Sequence, residues 1–191
     1  MLDFENLKLY KQYLNTIQNL LDGYFENQKE YIFCKKGCSH CCEKGEYPYS
    51  RLEFDYLMLG FFKLEPKVQQ GVIKRIQKLK EEYNGGMYKC PFLNEDGCCT
   101  VYDFRGLICR TFGLLKPNKD GEIIMPFCQS MGLNYSNVYN REKKVIDEDL
   151  VKNYKNSPKA YQLSFKTLMS EDLFKDVKLD FGEIKSLVEW L

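Results

Sequence analysis

Apolar residues recur at spacings of three and four along the first thirty positions, and polar residues fill the gaps between them. This period is typical of an amphipathic α-helix, so it predicts an N-terminal helix over residues 2–30. The stripe covers about three heptads, which favours a helix packed on its own domain over a coiled-coil seam. We expect any protein partner to bind through the helical surface. The stripe consists of Leu7, Tyr10, Leu14, Ile17, Leu21 and Tyr24.

Two further helices are predicted after residue 50. Ser50 and Glu53 have the spacing of a capping box, and the apolar residues that follow have a helical period. Pro66 suits the first turn of the next helix, and Gly85-Gly86 is typical of a helix end. The sequence therefore predicts two consecutive helices, which we call the helical pair, between two cysteine-containing regions.

The rest of the chain predicts one hairpin and more helix. Apolar positions 114–115 and 123–125 flank the turn-forming residues 117–121, which favours a small β-hairpin. A helical pattern returns over 135–191, and Ser157-Pro158 resembles a helix start. We therefore expect a mainly α fold, with helices packed around a cysteine-rich irregular centre, in one domain of residues 1–191.

Charge and hydropathy restrict the function classes. The 28 basic and 27 acidic residues give a net charge of +1, so no basic surface for nucleic acid is expected. The apolar stretches are too short to span a membrane. The N-terminus MLDFENLKLY lacks the features of a secretory signal, and these observations favour a cytoplasmic location, where thiols stay reduced.

Nine cysteines, all between Cys34 and Cys128, are the unusual feature of the composition. Reduced, clustered cysteines are more typical of metal ligands than of disulfides, because a thiolate is a soft, anionic ligand for zinc or iron. The only histidine, His40, lies within the first group, so a site with two histidines is excluded. The groups are Cys34-x3-Cys38-x2-Cys41-Cys42, then Cys90, Cys98-Cys99, Cys109 and Cys128.

Spacing alone leaves the metal open. Zinc sites usually take their ligands from two short knuckles, whereas the later cysteines here are dispersed, and the x3/x2 triplet favours an iron–sulfur cluster such as 4Fe-4S. Buried inert thiols are an alternative, although nine cysteines exceed ordinary usage in a core. A thiol–disulfide role is another, but the βαβ context of a thioredoxin-like motif is missing.

The pattern resembles the YkgJ-type cysteine-cluster family over residues 34–128. The features that it shares include Cys90-Pro-Phe-Leu, Val101-Tyr102 and Cys109-Arg110. The resemblance implies a zinc- or iron-chelating core, leaves Cys98 without a counterpart, and places Gly106 where the family often has proline. The metal ligands that it implies are Cys34, Cys38, Cys41, Cys42, Cys90, Cys99, Cys109 and Cys128.

Two enzymatic alternatives arise from further resemblances. A related cysteine cluster occurs in flagellin lysine N-methylases, which would imply methyl transfer with an iron–sulfur cluster. The triplet Cys34-x3-Cys38-x2-Cys41 is also similar to that of radical S-adenosylmethionine enzymes. That fold is a partial α/β barrel, and no alternation of strands and helices supports it here. We expect Arg105 and Arg110 to offset the negative charge of the thiolates.

Overall fold

The computed structural model describes residues 3–35, 37–170 and 179–191. These residues are 45% helical and 10% strand, which confirms a mainly helical fold. Two 3₁₀ turns accompany the α-helices, at Tyr102–Phe104 and Phe127–Met131. The helices are α1 (Phe4–Asn27), α2 (His40–Glu43), α3 (Arg51–Phe62), α4 (Pro66–Glu82), α5 (Leu107–Thr111), α6 (Glu148–Val151), α7 (Phe165–Leu168) and α8 (Leu187–Trp190).

The strands of the described residues form three antiparallel two-stranded pairs. The predicted hairpin is β2–β3, in which Lys116 pairs with Ile124. The β1–β6 and β4–β5 pairs were not predicted. No described strand pairs in parallel, as a partial α/β barrel would require. The strands are β1 (Pro48–Ser50), β2 (Lys116–Pro117), β3 (Ile123–Ile124), β4 (Tyr139–Asn140), β5 (Val145–Ile146) and β6 (Ile184–Ser186).

The helix starts follow local rules that the sequence displays. The Asp3 side chain caps α1 by accepting from the backbone N–H of Asn6 at 3.0 Å. Ser50 and Glu53 form the predicted capping box of α3. Pro66 occupies the first turn of α4. These starts confirm the predicted helical pair.

The buried side chains form three clusters. The first contains the apolar stripe of α1 together with Leu52 and Tyr56 of α3. The second contains Leu57 and Phe61 of α3 and one face of α4. The third is small and consists of Tyr31, Leu115, Tyr135 and Val138. The described members of the first cluster include no cysteine, so α1 does not pack around a cysteine-rich centre.

The C-terminal region is less helical than its pattern predicts. In the described part of 135–191 the helices have four residues each, and Ser157-Pro158 begins no helix. Long-range hydrogen bonds engage this backbone instead of helical ones, since Tyr161 N donates to Leu115 O at 2.9 Å and Lys159 N donates to the Gln28 side chain at 2.9 Å.

Some predicted positions lie outside the described residues. These are Leu2, at the start of the predicted N-terminal helix, and residues 171–178 of the predicted C-terminal helical region. Within the described residues, no helix combines the length and apolar character needed to cross a membrane.

Candidate metal centre

Backbone contacts join Cys42 of α2 to the chain segment that carries Cys90 and Cys99. The carbonyl of Cys42 accepts a hydrogen bond from the N–H of Cys90 at 2.8 Å. The chain then turns back on itself, and Cys99 forms an antiparallel bridge with Leu93. A separate turn begins at Cys90, because Leu93 N donates to Cys90 O at 3.1 Å. Cys42, Cys90 and Cys99 thus lie in adjoining backbone segments.

Two residues of the β1–α3 corner position Cys109. The hydroxyl oxygen of Tyr49 accepts from Gly106 N at 3.1 Å and lies 3.6 Å from the sulfur of Cys109. The Glu53 carboxylate accepts from Leu107 N at 2.8 Å, so it caps α5 as well as α3. Neither role was predicted, since no local pattern links residues 49 and 53 to residues more than fifty positions away.

Glycine suits position 106 for two reasons. A Cβ there would lie 2.8 Å from the Tyr49 ring. Its N–H is also the donor to the Tyr49 hydroxyl, a donor that proline lacks. The departure from the proline that the resemblance implies is therefore part of how this chain fixes Tyr49 beside Cys109.

Four thiols form what we call the inner set, Cys42, Cys90, Cys99 and Cys109. Every pair of the four interacts electrostatically, and all four pack in the second apolar cluster. Burial raises the pKa of Cys90, that of Cys99 to about 11 and that of Cys109 to about 12. The guanidinium of Arg105 opposes this effect at Cys99 and Cys109 by lowering the pKa of each.

Three other thiols form what we call the outer set, Cys34, Cys38 and Cys128. The sulfurs of Cys34 and Cys38 are 3.9 Å apart, and the Cys34 thiol donates to the sulfur of Cys128. That hydrogen bond raises the pKa of Cys34 and lowers the pKa of Cys128. The Asn134 side chain fixes this loop by accepting from Cys34 N at 3.1 Å.

Cys41 lies between the two sets. Its thiol donates to the sulfur of Cys42, which is the largest cause of the lowered pKa of Cys42, followed by the charge of Arg105. Cys41 also interacts electrostatically with Cys109 of the inner set and Cys34 of the outer set. The adjacent pair in α2 is therefore the junction of the sets.

Cys98 and His40 stand apart from this arrangement. The Cys98 thiol contacts the carbonyl of Asp96 at 3.8 Å. His40 is exposed, and its backbone N–H donates to the sulfur of Cys38.

Arg110 contacts the carbonyls of Asp103 and Arg105 through its guanidinium, and so fixes the turn that carries Arg105.

The donor set fits a thiophilic metal by its chemistry. Metal-bound cysteines are thiolates, and burial of the inner set opposes that charge unless a cation accompanies it. Arg105 supplies one positive charge to four thiols, which leaves room for a divalent ion or a cationic cluster. The sulfurs of the described residues are neighbours, but no three side chains of His, Cys, Asp or Glu among them converge on one point as bound ligands do.

Comparison with known proteins gives one match. The family model named CxxCxxCC and described as “Putative zinc- or iron-chelating domain” matches residues 33–129. This range covers just over half of the chain and includes all nine cysteines. No curated protein and no solved structure matches the chain.

Proposed function

This chain belongs to the CxxCxxCC family of zinc- or iron-chelating domains, the YkgJ-type family, and on that premise we propose that it binds zinc or an iron–sulfur cluster through its clustered cysteine thiolates. The supporting observation is the inner set, in which four thiols from three chain segments lie in an apolar cluster beside Arg105. Protein ligands of this number and type satisfy a tetrahedral zinc ion or the four irons of a cluster.

The proposed role of the metal is to hold the fold together. Cys42, Cys90 and Cys109 belong to segments far apart in sequence, so one shared metal would cross-link them. A site closed by four protein thiolates has no open position for substrate, which is typical of structural rather than catalytic centres. Arg105 would offset part of the negative charge that four thiolates place on the site.

Elemental analysis of protein purified without oxygen tests this proposal. We expect either zinc alone, or iron with an equal amount of acid-labile sulfide, at one or more centres per chain. Cys98→Ser is the matched control, because the Cys98 thiol contacts the carbonyl of Asp96 in its own loop, and it should retain the full metal content. Protein that is folded by circular dichroism but contains neither zinc nor iron would overturn the proposal.

A further inference from the structure

We propose that the cysteines form two separate metal centres, an inner one that retains its metal and an outer one that exchanges it with soluble thiols or chelators. This inference rests on the proposed function, since it assigns the ligands of that function to two places. The inner centre is formed by Cys42, Cys90, Cys99 and Cys109, and the outer centre by Cys34, Cys38 and Cys128.

Packing separates the two groups. The cysteines found in the second apolar cluster, among all the described residues, are those of the inner set. The outer set is instead attached to a different part of the chain. Asn134 accepts from Cys34 N, and Leu133 N donates to Cys128 O at 3.2 Å, so one short segment fixes both ends of the outer set.

The interactions between thiols divide the cysteines into the same two sets. Within the outer set, Cys34 contacts both Cys38 and Cys128, and Cys128 interacts with Cys38. Within the inner set, each of the four thiols interacts with the other three. The sets adjoin through α2, where Cys42 also acts on Cys38. Residues adjacent in a helix point about 100° apart, so Cys41 and Cys42 are suited to border different sites.

The two groups differ in how they would hold a metal. All nine cysteines lie in described residues, and of these Cys34 alone is exposed. Three protein thiolates leave one coordination position of a tetrahedral ion open, and an incoming thiol or chelator attacks there. The inner set has four thiols, apolar packing and the charge of Arg105, all of which slow release.

Zinc loading of the reduced chain tests the number of centres. The protein is reconstituted with Zn²⁺ without oxygen, desalted and analysed for bound zinc. We expect about two ions per chain in the wild type and in the Cys98→Ser control, and about one in Cys38→Ser. Cys99→Ser should lose the other ion, with a lower melting temperature than Cys38→Ser, because Cys99 packs in the apolar cluster.

Release kinetics provide a second test, in which the wild type alone shows whether one or two kinds of site release zinc. Transfer of zinc from the wild type to 4-(2-pyridylazo)resorcinol should show a fast and a slow phase of equal amplitude, and Cys38→Ser should lack the fast phase. A single phase, or one bound ion in the wild type that either variant abolishes, would mean one shared centre and would overturn the two-centre proposal alone. A wild type that binds no zinc in this assay and contains no iron after purification without oxygen would instead reject the proposed function.

Discussion

Glu53 joins two helices through one buried carboxylate. One oxygen accepts from the backbone N–H and the hydroxyl of Ser50, each at 2.9 Å, and the other accepts from Leu107 N. The side chain is fully buried, and burial raises its pKa to about 7 against the hydrogen bonds that lower it. Glu53 thus stabilises the start of α5, which carries Cys109. Ionising this buried carboxyl lowers the stability of the fold as pH rises.

Replacing Glu53 with glutamine should flatten the pH dependence of stability. The unfolded carboxyl titrates near 4.5, so between about pH 4.5 and 7 the folded chain keeps a proton that the unfolded chain has released. The stabilisation from this proton is complete below pH 4.5 and is lost as pH rises through 7, a change on the order of 3 kcal/mol. Urea unfolding of the wild type and Glu53→Gln across this range measures it.

The test is the slope of the free energy of unfolding against pH, and not its absolute value. Glu53→Gln should be less stable than the wild type at low pH, since an amide nitrogen cannot accept from a backbone N–H, and this difference should narrow as pH rises. Glu81→Gln, at an exposed position of α4, is the matched control and should keep the wild-type slope. Parallel pH profiles for the wild type and Glu53→Gln would show that this carboxyl does not titrate in the window.

At the scale of elements, α3 and the Tyr102–Phe104 turn fit together at Gly60. A Cβ on Gly60 would lie 2.5 Å from the ring of Phe104, so this helix position has no room for a side chain. The turn continues directly into Arg105 and Gly106, which serve the inner set. Close packing at residue 60 therefore positions the segment that carries Arg105.

Paired alanine substitutions separate this packing effect from helix propensity. Gly60→Ala should lower the free energy of unfolding by about 1–3 kcal/mol, because the added methyl displaces Phe104. Gly23→Ala in α1 meets nothing within 4 Å and should raise it by about 1 kcal/mol through better helix propensity. Denaturant unfolding measures both, and a stabilised Gly60→Ala would contradict the close fit of the Phe104 ring against α3.

The same elements show what a sequence can predict. α1, α3 and α4 were predicted because their apolar period and caps are local. The predicted helix start at Ser157-Pro158 was wrong, since the backbone of that segment bonds to a distant position through Tyr161 N and Leu115 O. The same distinction between local and long-range features applies to the candidate site. Spacing identified a group of thiols, but the Tyr49–Cys109 and Asn134–Cys34 contacts that arrange them span sixty and a hundred residues.

At the scale of the whole molecule, the proposed metal supports one apolar cluster more than another. The inner set packs in the second cluster with the face of α4, whereas the first cluster is built on α1 without cysteines among its described members. α3 contributes to both, with Leu52 on one side and Leu57 on the other. Metal loss should therefore loosen the two clusters to different extents.

Hydrogen exchange after metal removal measures that difference. With the reduced chain stripped of metal by a chelator, the inner thiols are protonated and no longer cross-link their chain segments, so amides of 66–82 and 88–104 should lose protection. Amides of 7–21 should change much less, because the α1 stripe is buried against apolar side chains. The metal-loaded chain treated with the same buffer is the control. Equal loss of protection in both regions would mean that the clusters unfold as one cooperative unit, and that the metal supports the whole fold rather than the α4 side of it.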